Sequence, residues 1–428
     1  VQAFYLQQGY STIPSKISTI LVKASKITTI APELLGYLVL LDKTCGVKCY
    51  NRRRTFKIVM YIHELNEWPS FQWDREALLP LLAETHERLE ALNLELSKLG
   101  FTEQNEASLR TLTEEVVRTS EIEGEILDPA QVRSSIARKL GLADGGLRRD
   151  DRNIEGIVDV VLEATQKCDE PLTEKRLRGW HAALFPTGYS GTHEILVAEW
   201  RDDRDGPMQV VSGPYGNRKI HFEAPAYLRL VFEMEKFFAW FEGADDVDLL
   251  VKAGASHLYF VTLHPFDDGN GRIARAIADL QLARADKMKQ RYYSMSAQIK
   301  IDKKEYYDML EATQRANLDI TNWLVWFLKC LIRSIKNAET VLHDILQKAR
   351  VWQHLHKYEI NKRQEKVLNT LLDGVFVGNL TSGKYAKMTK CSTDTASRDL
   401  IKLVEYGVLD RTGDGRGTQY VLKNITPP

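Results

Sequence analysis

His264-Pro265-Phe266-Asp267-Asp268-Gly269-Asn270-Gly271-Arg272-Ile273-Ala274-Arg275 lies between two apolar stripes at helical spacing, Leu258, Val261 and Leu263 before it and Ile277 and Leu280 after it. The segment therefore reads as a turn that leaves one helix, residues 249–263, and enters another that runs to about Lys287. Gly269 and Gly271 let successive backbone amides converge, so a phosphate fits at the start of the second helix. Arg272 and Arg275 are three apart and share a helix face, from which both guanidinium groups reach a phosphate tail. Asp268 offers the hard oxygen that Mg²⁺ requires, and a neutral His264 can take a proton from a hydroxyl. Phe266 is expected to turn inward and anchor the loop. A capped helix start with surface arginines would explain any one of these residues, but not all of them together. The Lys and Ser or Thr of the common phosphate-binding loop are missing, and so is the glycine spacing that follows a Rossmann strand.

Outward from this loop the chain reads as helical. Asp74 caps a helix over residues 75–99, and a second runs from about Thr102 to Glu123, stopped by Gly124. Asp128-Pro129 starts a short helix to Leu140, followed by a Gly- and Asp-rich loop over 141–150. Further helices are expected over 154–167, 173–184, 226–241, 294–317 and 321–358. Between 185 and 222, where Gly and Pro concentrate, Ile195-Leu196-Val197 and Met208-Gln209-Val210-Val211 read as extended parts of a β-hairpin insertion. Tyr61, Trp68, Phe71 and Trp73 form an aromatic cluster that packs on helices. Trp323, Trp326 and Phe327 read as helix packing, and His181, His193, His221 and His257 as structural or exposed rather than as a metal set.

The 428 residues predict two or three domains. With 58 basic and 58 acidic side chains the chain has no overall bias toward polyanions, so any nucleotide site must be local. Five scattered cysteines give no disulfide framework and no zinc set, which points to a reducing compartment, the cytoplasm. No apolar run is long enough to cross a bilayer, so no membrane partner is expected. Residues 1–59 carry nine Lys or Arg against Glu33 and Asp42 alone and read as a basic extension outside the functional fold; a basic membrane- or partner-touching arm is the competing view.

Residues 361–424 show three short helices and an extended pair joined by Gly413-Asp414-Gly415-Arg416-Gly417, the pattern of a winged helix-turn-helix. Thr395, Ser397, Arg398 and Lys402 lie on its presumed recognition helix and Arg416 at the wing tip, which makes DNA a candidate partner. Asp394, Asp399, Glu405, Asp410 and Asp414 dilute that basic surface.

The 264–275 segment resembles the Fic family signature at its His, its Phe, its acidic residue, its Gly-Asn-Gly-Arg core and its final Arg. That resemblance implies a mainly α fold, a Fic-type helical bundle with a β-hairpin flap. It implies a protein adenylyltransferase that moves AMP from ATP, with Mg²⁺, onto a Tyr, Ser or Thr hydroxyl of a target protein. His264 would be the base, Asp268 the Mg²⁺ ligand, Gly269, Asn270 and Gly271 the anion hole, Arg272 the diphosphate holder and Arg275 the holder of the terminal phosphate. Thr119-Ser120-Glu121-Ile122-Glu123-Gly124 resembles the family's N-terminal inhibitory helix, in which Glu123 would pair with Arg275 on the face it shares with Thr119. The stretch 212–222 resembles the family's flap, and the opening around 61–74 resembles the domain of unknown function that precedes some bacterial Fic cores.

The expected organisation is a basic extension over 1–59, an N-terminal helical domain with the inhibitory helix over 60–150, a Fic core over 151–330, a helical connector over 331–358 and the winged helix over 359–428. A homodimer is a further expectation. Two alternatives stand beside the transferase: a DNA-binding regulator with a nucleotide-sensing core, and removal of AMP from modified proteins with Glu123 positioning a water.

Overall fold

A computed structural model describes residues 60–142, 152–204, 206–213, 218–244, 246–286, 291–374 and 376–423. The basic extension, most of the 141–150 loop, the end of the helix expected to reach Lys287 and the Arg416 side chain lie outside the described residues.

The fold is mainly α-helical with small β-hairpins. Asp74 caps α1 (Arg75–Ser97) by accepting from the Glu76 and Ala77 amides. Next come α2 (Phe101–Ile122) and α3 (Pro129–Lys139), the latter with Asp128 at its cap and proline in its first turn. After α4 (Arg152–Gln166) and α5 (Glu174–Leu184), two short hairpins interrupt the helices. One pairs β1 (Tyr189–Ser190) with β2 (His193–Glu194), the other β3 (Gln209–Ser212) with β4 (Lys219–Glu223), both antiparallel. Helices α6 (Tyr227–Glu242), α7 (Leu249–Leu263), α8 (Asn270–Asp286), α9 (Met295–Ile301), α10 (Lys303–Gln314) and the 35-residue α11 (Thr321–Leu355) complete the main body. A smaller group follows: α12 (Lys362–Leu372), α13 (Ser382–Thr389), α14 (Thr393–Glu405) and the antiparallel pair β5 (Leu409–Thr412) and β6 (Gln419–Leu422).

Two expectations change. Ile195-Leu196-Val197 is not a strand, because its amides go elsewhere: Ile195 donates to the Gly188 carbonyl and Leu196 to the Asp267 carboxylate. The helix expected over 294–317 is broken at Asp302, which ends α9 and begins α10.

Helix α7 is buried from Leu250 to Leu263 and forms the axis of the main core. Helix α11 seats on it through Trp323, whose indole N–H donates to the Gly254 carbonyl at 2.7 Å. Gly254 permits this approach: a Cβ there would stand 3.0 Å from Leu324 and Phe327. The expected packing of Trp323, Trp326 and Phe327 is observed, with the two indoles stacked at 5.3 Å. Trp68 closes the N-terminal side, its ring against Phe71 and Tyr259 and its N–H on Glu233. One apolar core runs from Ile62 to Ile345, and a second gathers Val351 and Leu355 with residues up to Tyr420. Helix α11 contributes to both, so residues 331–345 pack in the first core and the end of the helix in the second. Among the described residues no helix is long and apolar enough to cross a membrane.

Candidate functional site

Helix α7 stops at His264, whose backbone is left-handed (φ 48°, ψ 58°), a conformation that costs a residue with a side chain about 1–2 kcal/mol. Pro265 follows and cannot continue the helix. Several bonds hold this turn. The Arg201 side chain, fully buried, donates to the His264 carbonyl at 2.8 Å and to the Pro225 carbonyl at 2.6 Å, and the Arg201 amide donates to the Pro265 carbonyl. Asn270 clamps the loop from the far side, accepting from the Phe266 amide at 3.0 Å and donating to the Phe266 carbonyl at 2.8 Å. Phe266 does turn inward and stacks on His181 at 4.1 Å. The Ala198 amide donates to His181 Nδ1, which leaves Nε2 as the protonated nitrogen and directs it to the Asp268 carbonyl. Burial keeps this histidine neutral, pulling its pKa down to about 4. His181 is structural, as expected from the sequence.

His264 is half-buried, and its Nδ1 lies 3.2 Å from the Val261 carbonyl. A neutral ring that donates there keeps a lone pair on Nε2. Desolvation pulls the pKa of His264 down to about 4, opposed by the Val261 carbonyl and helped by the charge of Arg201. Asp268 accepts from the Gly269 amide at 2.6 Å and from the Ser190 hydroxyl of β1. Gly269 has φ 79°, and a Cβ on it would strike Phe185 at 2.8 Å, so both its conformation and its surroundings demand glycine. The first intrahelical bond of α8 runs from Ile273 to Gly269, which leaves the amides of 270–272 at the positive end of the helix dipole without an intrahelical acceptor.

The arginines are the electrostatic centre. Arg275 is buried and donates through Nε to the Thr119 hydroxyl at 2.7 Å, and through Nη2 to the Thr119 carbonyl at 3.0 Å and to Glu123 Oε1 at 2.7 Å. Burial is the largest single influence on this guanidinium and would lower its pKa; the charge and hydrogen bond of Glu123, together with Tyr306 and Tyr307, outweigh it and the net shift is upward. Arg272 lies over the Phe185 ring at 5.0 Å and donates to Glu125 at 3.1 Å. Arg275 Nη1 and Arg272 Nε are buried donors with no acceptor among the described residues. Such donors match the charge and geometry of an anion.

Glu123 and Glu125 are aimed by the end of α2. The Glu125 amide bonds the Ser120 carbonyl and the Gly124 amide the Glu121 carbonyl, a Schellman turn for which Gly124 supplies the positive φ of 94°. The turn sends one carboxylate to each arginine. A Cβ built on Gly271 would meet Glu123 Oε1 at 2.1 Å, so the carboxylate lies directly on the first turn of α8. Lys300 and Lys303 donate to the Glu121 and Ile122 carbonyls, holding the negative end of α2.

The structure therefore brings together His264, Asp268, Gly269, Asn270, Gly271, Arg272, Arg275, Thr119, Glu123 and Gly124. Asn270 contributes its backbone, its side chain being committed to Phe266. Glu125, Ser190 and Arg201 were missed by sequence reasoning; only Glu125 left a signal, a second acid across the glycine that ends α2. Among the described residues no group of three or more acidic, His or Cys side chains could hold a cation, so a metal at Asp268 would need further ligands from a bound molecule.

Thr395, Ser397, Arg398 and Lys402 lie far along the chain, on α14. Arg398 and Lys402 are exposed, while Thr395 and Ser397 are half-buried. Asp399 does not dilute this face as expected: it is buried and accepts from Asn361, Arg363 and Tyr385.

Residues 171–282 match the Fic/DOC family, and residues 61–142 match a domain of unknown function, DUF4172. Arg272 and Arg275 thus belong to one matched segment and the two carboxylates that hold them to the other. Among solved structures, the chain resembles a Fic family protein from Desulfovibrio desulfuricans G20 at 19% identity, covering 82% of this chain and 97% of that one, with a TM-score of 0.49. It also resembles a Fic domain containing signaling protein from Bacteroides thetaiotaomicron VPI-5482 at 19% identity, covering 62% and 97%, with a TM-score of 0.44. A third likeness is to Fic-1 from C. elegans at 19% identity, covering 63% and 76%, with a TM-score of 0.40.

Proposed function

With residues 171–282 as a Fic/DOC family domain, we propose that this chain is a protein adenylyltransferase that moves AMP from ATP onto a Tyr, Ser or Thr hydroxyl of a target protein, restrained by Glu123. The observation that carries the reading is the pair of arginines beside a glycine-opened helix start, each keeping a buried donor free and each covered by a displaceable carboxylate.

When Glu123 and Glu125 withdraw, Arg275 receives the γ-phosphate and Arg272 the diphosphate, while the amides of 270–272 face the phosphate oxygens. Asp268 would hold Mg²⁺, which supplies charge neutralisation to the leaving diphosphate. His264 Nε2 accepts the proton of the target hydroxyl as its oxygen attacks the α-phosphorus, and pyrophosphate leaves in line. Alignment and charge stabilisation provide most of the rate, with the base adding about 10²–10⁴-fold.

Transfer assays with a Glu123→Gly chain test this. Label is expected on protein from α-labelled ATP and none from γ-labelled ATP. Because His264 is held down to about 4, its imidazole stays neutral at pH values where an ordinary histidine takes up a proton. The rate should therefore stay level from pH 8 to about pH 5.5 and fall only as pH approaches 4. Label from the γ position, or half the rate lost near pH 6.5, would contradict the assignment.

A further inference from the structure

Away from the loop, a second reactive constellation lies where β3, β4 and α10 meet. Strands β3 and β4 are antiparallel with Ser212 opposite Lys219, and the register shifts between Val210 and Val211, so that His221 has no partner in the ladder and its ring is placed by side-chain bonds instead. The Ser212 hydroxyl lies 2.6 Å from His221 Nε2, and His221 Nδ1 lies 2.5 Å from Glu311 Oε2 on α10. A carboxylate only accepts, so Nδ1 carries the proton and Nε2 is left to accept from the serine. Glu311 is itself fixed, with Arg315 at 3.2 Å and Lys219 at 3.3 Å. Arg315 further donates to the Ile220 and His221 carbonyls, which locks β4 to α10 and sets the imidazole. Ser212 is exposed while His221 and Glu311 are half-buried, so the hydroxyl faces solvent and its base is supported from beneath.

We propose that Ser212, with His221 as its base and Glu311 as the group that orients that base, is a second nucleophilic centre that reacts with phosphorus electrophiles. The bonding order, serine to Nε2 and Nδ1 to carboxylate, is the one by which an imidazole activates a hydroxyl. Lys219, exposed beside the hydroxyl, favours an electrophile that carries negative charge, as phosphate esters do. In the step, the Ser212 proton passes to His221 Nε2, the Oγ–P bond forms, and the leaving group departs with its electron pair. Glu311 stabilises the imidazolium. This chemistry does not depend on the nucleotide reading of the 264–275 loop.

The test is covalent labelling of the full chain by a fluorophosphonate probe, from which fluoride leaves, with the modified peptide identified by mass spectrometry. Label on Ser212 is expected in the wild type and equally in His264→Ala, none at that peptide in Ser212→Ala, and about 10²–10⁴-fold slower labelling in His221→Ala. In Glu311→Gln the rate should fall, because His221 Nδ1 loses the carboxylate that orients the ring, and Glu311→Asp should recover part of it. Wild-type labelling no faster than in His221→Ala, or label absent from Ser212, would overturn the proposal. A hydrogen-bond network that only pins the hairpin to α10 predicts that negative result.

Discussion

Replacing His264 by alanine in the Glu123→Gly chain is expected to lower AMP transfer by about 10²–10⁴-fold while leaving ATP binding unchanged. The two halves of this result have separate causes. The groups proposed to hold the phosphates are the 270–272 amides, Arg272 and Arg275, and the clamp that shapes their turn is Asn270 on Phe266; none of these passes through the imidazole. The proposed acceptor for the proton of the target hydroxyl is His264, whose Nε2 lone pair is left free because Nδ1 faces Val261. Initial rates with α-labelled ATP, together with equilibrium binding of a non-hydrolysable analogue, separate the two. Transfer that persists within a factor of a few would mean that another group takes the proton. Arg201→Met should act on the same base indirectly, because its guanidinium holds the left-handed carbonyl of His264.

Removing the restraint should work in the opposite direction. Glu123→Gly is expected to raise transfer about ten- to a hundredfold, the equivalent of the roughly 1.5–3 kcal/mol that a charge-assisted hydrogen bond contributes. The Glu123 carboxylate lies on Gly271 and on Arg275 at once, so on the proposed reading it would compete with ATP for both charge and space. Glu125 makes the restraint two-pronged. Its contact with Arg272 is more open to solvent, and such pairs contribute about 0.2–1 kcal/mol, so adding Glu125→Gln to Glu123→Gly should gain only about 1.4- to fivefold more. If Glu123 instead positions a water for removal of AMP, the glycine variant would lose de-modification of a labelled target and gain no transfer, and the same assay run on modified protein reads that outcome.

The contrast between what the sequence disclosed and what it concealed follows from chain distance. The loop was legible because His264, Asp268, the glycines and the arginines are contiguous, and because apolar stripes on both sides define the helices that carry them. Asp74, Asp128-Pro129 and Gly124 were legible as helix ends because capping chemistry is local. Arg201 was not, since its role depends on a carbonyl 63 residues away. Ser190 and Lys303 were hidden for the same reason, each meeting its partner only after folding. Ile195-Leu196-Val197 misled because a short apolar, β-branched run looks like a strand until side chains take its amides, as the Asp267 carboxylate takes that of Leu196. Asp399 misled in the other direction: an acid on a helix counts as surface charge unless Asn361, Arg363 and Tyr385 converge on it, which only the tertiary fold arranges.

The decisive measurement is a crystal structure of the Glu123→Gly chain with Mg²⁺ and a non-hydrolysable ATP analogue. The triphosphate is expected against the 270–272 amides, with both guanidinium groups turned from the α2 end onto phosphate oxygens, the cation at Asp268, and His264 Nε2 open to the α-phosphorus. An analogue bound elsewhere at saturating concentration, with this helix entrance vacant or the imidazole turned into the core, would contradict the proposed function.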